Sequence, residues 1–106
     1  MTGYRLTCAA SDDLAALFIE GVELFGLAQA DRYYDGLADT FAFLSEYPYA
    51  AREREEIRAA VRVYPYKAHV IVYELETGGG VLILRVRHGR EDWLTEMNES
   101  SDSELN

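Results

Sequence analysis

HVIVYELETGGGVLILRVRH, residues 69–88, decides the fold. Two runs of β-branched and aliphatic residues flank Thr77 and three glycines, a combination that predicts a β-hairpin with a glycine-built turn. RVYPY, residues 62–66, precedes the hairpin and reads as another short strand. YRLTC, residues 4–8, reads as a first strand at the other end of the chain.

Between these strands the apolar spacing changes. Leu14, Leu17, Phe18, Val22 and Phe25 recur at helical intervals. Ser11 reads as the cap, Asp12 and Asp13 as acids of the first turn, and Gly26 as the stop. A second helix follows from about residue 28 to 47, with Ala30, Tyr34, Leu37, Phe41 and Leu44 in threes and fours and Pro48 at its end. So short a connection makes the pair an antiparallel hairpin. The order strand, helix, helix, three strands predicts an α+β domain, with the helices on one face of a small, mostly antiparallel sheet.

Alternation along the strands extends this reading. Leu82, Leu84 and Val86 share one face, and Arg85 and Arg87 the other. Val61 and Val63 likewise oppose Arg62 and Tyr64. With the apolar faces against the helices, Arg62, Arg85 and Arg87 converge on the open face of the sheet. His88 takes the core parity.

The chain has 106 residues, 49% of them hydrophobic and 27% charged, which suits one globular domain. That domain is expected over residues 1–94, with a loose acidic tail over 95–106. Net charge is −9, but it is unevenly placed. Residues 1–51 carry −6, residues 52–90 carry +3, and residues 91–106 carry −6. Such a chain does not seek nucleic acid through its overall field, so an anion site must be local to residues 52–90. A single cysteine, Cys8, excludes an internal disulfide. No apolar run approaches the ~20 residues that span a bilayer. The N-terminal stretch lacks the pattern of a secretory signal, and a cytoplasmic location is expected.

Three readings of the arginines stand: pairing with Glu53, Glu55, Glu56, Glu74 and Glu76 on a solvated surface, docking of a partner protein, or an RNA phosphate site. His88 has the titration range of a general acid or base, but no second group accompanies it at a telling spacing. His69, Tyr64 and Tyr73 read as ordinary strand residues. Two histidines and one cysteine far apart make no metal set, and no cofactor is expected. Tyr33, Tyr34, Tyr47 and Tyr49 lie in the acidic half and read as packing residues. Trp93 reads either as an aromatic interface anchor or as a lid on one end of the core.

Several segments, taken in order, resemble a known family. They are YRLTCAASDDLAALF, FGLAQADRYYDGL, LSEYP, IRAAVRVYPYKAHVIVYELE and ILRVRHGREDW. Together they are similar to ParE-type toxins of the RelE/ParE toxin–antitoxin superfamily over residues 4–94. The last segment carries most of the likeness, in the pattern R-V-x-H-G-R-x-D-W. The resemblance implies the fold above and a ParD-like antitoxin whose C-terminal part folds on contact. It further implies inhibition of DNA gyrase rather than catalysis, with nucleic acid met only through the antitoxin. Arg62, Arg85, Arg87, His88, Arg90 and Trp93 are the expected partner-binding residues. The alternatives are a RelE-type mRNA interferase using Arg62, Arg85 and His88, and a non-toxic relative that only binds a partner. The chain lacks a C-terminal tyrosine of the RelE kind. It also carries Glu91 where ParE-type toxins commonly have a second basic residue.

Overall fold

The computed structural model of the protein describes residues 3–57 and 60–89. The chain runs through β1 (Tyr4–Leu6), α1 (Cys8–Phe25), α2 (Leu27–Glu46), β2 (Arg62–Tyr66), β3 (His69–Leu75) and β4 (Val81–His88). One 3-10 turn, Pro48–Ala50, follows α2. The sheet order is β1-β4-β3-β2, with β1 parallel to β4 and the other neighbours antiparallel. This is the expected α+β arrangement.

Gly26 alone separates the helices. Its φ of 88° is a conformation that side chains resist, and its N–H still closes α1 on Val22 O. The helices then run back along each other, with Gly21 against Ala30 and Phe18 edge-on to Tyr34. Leu37, Phe41 and Leu44 of α2 are fully buried with Ile71, Tyr73, Val81 and Ile83 of the sheet. Each such side chain contributes about 1.5–3 kcal/mol. Gly36 admits the Tyr66 hydroxyl so closely that a Cβ there would collide with it.

Two expectations are corrected. The first helix begins at Cys8, capped by Thr7 and not by Ser11. Thr7 accepts Ala10 N–H at 3.0 Å and donates its hydroxyl to Leu84 O at 2.8 Å, so one side chain ends β1 and starts the helix. Asp13 accordingly lies beyond the first turn. The second correction concerns the sheet faces. Tyr73 pairs with Ile83, but Val72 pairs with Arg85, so Leu84 bulges out and the parity of β4 changes. Val81, Ile83 and Val86 face the helices. Leu82 and Leu84 belong to a second apolar cluster on the other face, with Ile57, Val61, Val63, Val70 and Val72. Both faces of this sheet are apolar, so alternation alone could not say which one the helices cover.

Candidate partner-binding site

The bulge re-aims the end of β4. Beyond Ile83, β1 no longer covers this edge, because its pairing stops at Leu6 and Thr7 N–H closes it on Ile83 O. Asp13 takes over. Its carboxylate accepts Val86 N–H at 3.0 Å, Arg85 through a bidentate pair at 2.8 and 2.9 Å, and Arg87 at 3.4 Å. The Asp13 side chain is only 9% exposed, so these contacts act in a poorly hydrated setting where they are strong. The residue that reads as a dipole acid is a sheet-edge clamp.

Beside this clamp an open groove of about 610 Å³ separates the helical hairpin from the ends of β3 and β4. Its body is apolar, with Ala16, Leu17, Gly21 and Leu24 from α1 and Ala30 from α2. Leu24 and Phe25 are 64% and 62% exposed, and Leu27 lies exposed beyond them at the hairpin turn. The sheet end is polar. Arg87 and His88 line it from β4, His69 from β3 and Tyr33 from α2.

His69 and His88 face each other across adjacent strands, with ring centroids 5.2 Å apart. The Tyr33 hydroxyl lies 2.7 Å from His69 Nδ1 and can also donate to Tyr66 O at 3.4 Å. Burial pushes the Tyr33 phenol upward, so it stays protonated at neutral pH. Lys67 Nζ lies 5.6 Å from the centre of the Tyr33 ring and 5.4 Å from that of Tyr66. Sequence reasoning missed His69 and Tyr33. The signal lay in the hairpin register, since only a one-residue bulge sets residue 69 opposite residue 88.

The expected site residues are not all together. Arg85, Arg87 and His88 gather at the end of β4. Arg62 pairs in register with Tyr73 on the helix-facing side of the sheet, whereas Arg85 pairs with Val72 of the opposite cluster. The expected convergence of Arg62, Arg85 and Arg87 on one face therefore fails. Arg62 is 8% exposed and donates to Ala51 O at 2.6 Å and Glu53 Oε1 at 3.4 Å, with Tyr49 stacked 4.9 Å away. It fastens the loop after α2 to the sheet. Arg90 and Trp93 lie outside the described residues.

Among the described residues no group of three or more His, Cys, Asp or Glu side chains could hold a metal ion. No helix among them is long and apolar enough to cross a membrane.

The family model described as "ParE toxin of type II toxin-antitoxin system, parDE" matches residues 4–93. The chain belongs to the ParE toxin family. Two Caulobacter vibrioides proteins named as ParE toxins agree with this. Toxin ParE1 is 32% identical over 88 residues, covering 83% of this chain and 90% of its own. Toxin ParE3 is 28% identical over 91 residues, covering 86% and 90%. The fold recurs in a chain of the chromosomal ParDE toxin–antitoxin system of P. aeruginosa, with TM-score 0.71 and 20% identity over 83% of this chain and 96% of that one. It recurs again in the RelBE2 toxin–antitoxin complex of Mycobacterium tuberculosis, with TM-score 0.58 and 25% identity over 82% and 96%. The ParE assignment makes this chain a toxin of a type II toxin–antitoxin system with the α+β RelE/ParE fold.

Proposed function

We propose that this ParE-family toxin is neutralised by a ParD-like antitoxin whose C-terminal segment folds into the groove, and that the free toxin inhibits DNA gyrase in the cytoplasm without catalysing a reaction. The groove carries the reading. An apolar trough with exposed Leu24 and Phe25 at one end and Arg87 and His88 at the other fits an amphipathic, acidic segment. A chain that folds on contact can cover such a surface while remaining displaceable. The solved relatives come from a ParDE system and a RelBE2 toxin–antitoxin complex, which supports a partner of that type. Within the site, Arg87 and His88 are the proposed contacts. Arg85 orients Asp13, and Arg90 and Trp93 are proposed as further contacts on the strength of the family resemblance alone.

The mRNA-cleaving alternative needs Arg62, Arg85 and His88 around one phosphate. Arg62, on the opposite sheet face from Arg85 and committed to Ala51 O and Glu53, argues against it. The test is to induce the chain alone and with its antitoxin, following growth, DNA supercoiling and transcript integrity. Growth arrest with altered supercoiling, intact transcripts and rescue by the antitoxin is expected. Transcript cleavage abolished by His88→Ala would make the chain a ribonuclease. Unimpaired growth with folded protein would make it a non-toxic binding relative.

A further inference from the structure

The groove uses one end of α2, and the other end carries exposed aromatic rings that neither the core nor the groove absorbs. We infer that this patch, Phe43, Tyr47 and Tyr64 flanked by Asp39 and Glu46, docks an arginine- or lysine-bearing surface of the toxin's target, of the kind with which a DNA-handling enzyme holds phosphate. The inference rests on the gyrase reading and adds to it a contact surface separate from the antitoxin's seat.

Helical spacing gathers the patch. Asp39, Phe43, Glu46 and Tyr47 succeed one another in threes and fours, so their side chains share a flank of α2. Phe43 and Tyr47 are 41% and 59% exposed, and Asp39 and Glu46 are exposed beside them. The Phe43 ring lies 5.2 Å from that of Tyr47 and 5.9 Å from that of Tyr64, which β2 presents beside the helix. Contiguous exposed rings are the usual anchors of a protein interface. The chain itself shows what such rings accept. The Arg62 guanidinium lies 4.9 Å from the centre of the Tyr49 ring, with the Glu53 carboxylate as its other partner. Phe43 and Tyr47, with Asp39 and Glu46, repeat that combination of ring and carboxylate in solvent.

Charge decides among the candidate occupants. Residues 1–51 carry −6, and a second copy of the chain would bring the same carboxylates face to face across a two-fold axis. The two exposed rings also leave an apolar patch of only a few hundred Å², taking roughly 150–250 Å² for a whole aromatic side chain. A stable dimer needs about 800 Å² per partner. An acidic antitoxin segment meets the same repulsion. Its proposed seat lies roughly 20 Å away, because Ala30 lines the groove and α2 rises about 1.5 Å per residue from there to Phe43. A surface that grips DNA phosphates is rich in arginine and lysine, and it satisfies both the rings and the acids. The rings then form the dry centre of the contact and the carboxylates its rim.

The test compares the full chain with two double variants at exposed positions, Phe43→Ala/Tyr47→Ala and Asp39→Lys/Glu46→Lys. Binding of the fluorescently labelled chain to purified DNA gyrase is measured by anisotropy, and binding to the antitoxin by calorimetry. Each variant is expected to lose gyrase affinity by roughly tenfold or more, with its antitoxin Kd within about twofold of the parent's. Gyrase affinity of the parent should fall as salt is raised from about 50 to 200 mM, and the charge-reversed variant should lose most of that slope. Undiminished gyrase binding by either variant overturns this inference and leaves the gyrase reading standing. Loss of antitoxin binding in a folded variant assigns the patch to the antitoxin and overturns it as well. So does a parent dimer, seen by sedimentation, that the aromatic variant dissolves while still binding gyrase. A parent chain that does not bind gyrase overturns the gyrase reading and the inference with it.

Discussion

Arg62 and the Arg85/Arg87 pair look alike in sequence and are used in opposite ways. Arg62 is turned inward at the start of β2, where a backbone carbonyl, Glu53 and the Tyr49 ring hold it. It stitches a loop. Arg85 and Arg87 meet one carboxylate, Asp13, at a strand edge left open by the shortness of β1. They brace the rim of a groove. An arginine near a concave surface therefore says little about binding until its guanidinium partners are known. A buried carbonyl partner marks a loop fastening, and a shared acid marks a brace at a strand edge.

This contrast can be broken experimentally. Asp13→Ala removes the common partner of two arginines and of Val86 N–H, and should cost about 3–5 kcal/mol in urea unfolding. A loss below about 1 kcal/mol would show the clamp to be ornamental. Arg62→Met should cost about 2 kcal/mol through its lost carbonyl and Glu53 contacts, with antitoxin affinity unchanged at folded concentrations. A large affinity loss without destabilisation would place Arg62 back in the interface. Arg87→Ala should reverse that pattern, weakening antitoxin binding roughly tenfold, about 1.4 kcal/mol, with a smaller effect on stability. Thr7→Ala removes the α1 cap and the bond to the bulge, for about 1 kcal/mol in thermal unfolding.

Far from both arginine stations, Arg5 pairs with Glu76 through a hydrogen bond and charge, which hold Glu76 below the usual carboxylate range. A depressed carboxylate stabilises above its unfolded value and loses that contribution as pH falls through the folded one. Glu76→Gln should therefore flatten the acid limb of the stability profile slightly and leave neutral stability almost unchanged, since the pair is exposed.

Much of the architecture was readable from residue pattern. The glycine-built hairpin, the two helices hinged at Gly26 and the stop at Pro48 follow local rules that burial reinforces. Three features followed tertiary constraints instead. Thr7 could be seen as a cap only once β1 was known to end beside Leu84. The Leu84 bulge has no local signature in VLILRVRH, yet it reverses the face assignment of every residue before it. The second apolar cluster, with Ile57 and Val61, made both sheet faces hydrophobic and sent Arg62 to the helix side. The histidine pair depended on that same register shift, so it was hidden for the same reason. Asp13 was visible as an acid, but its distance of 72 residues from Arg85 concealed the clamp.

The groove between the helical hairpin and the ends of β3 and β4 is the proposed docking surface. Amide hydrogen exchange on the chain, free and bound to its antitoxin, tests it most directly. Slowed exchange on binding across α1 from Leu17 to Leu24 and at His69 and His88, with the loop around Ala51 and Glu53 unchanged, is the predicted result. Protection concentrated on that loop and on β2, with α1 unaffected, would contradict it.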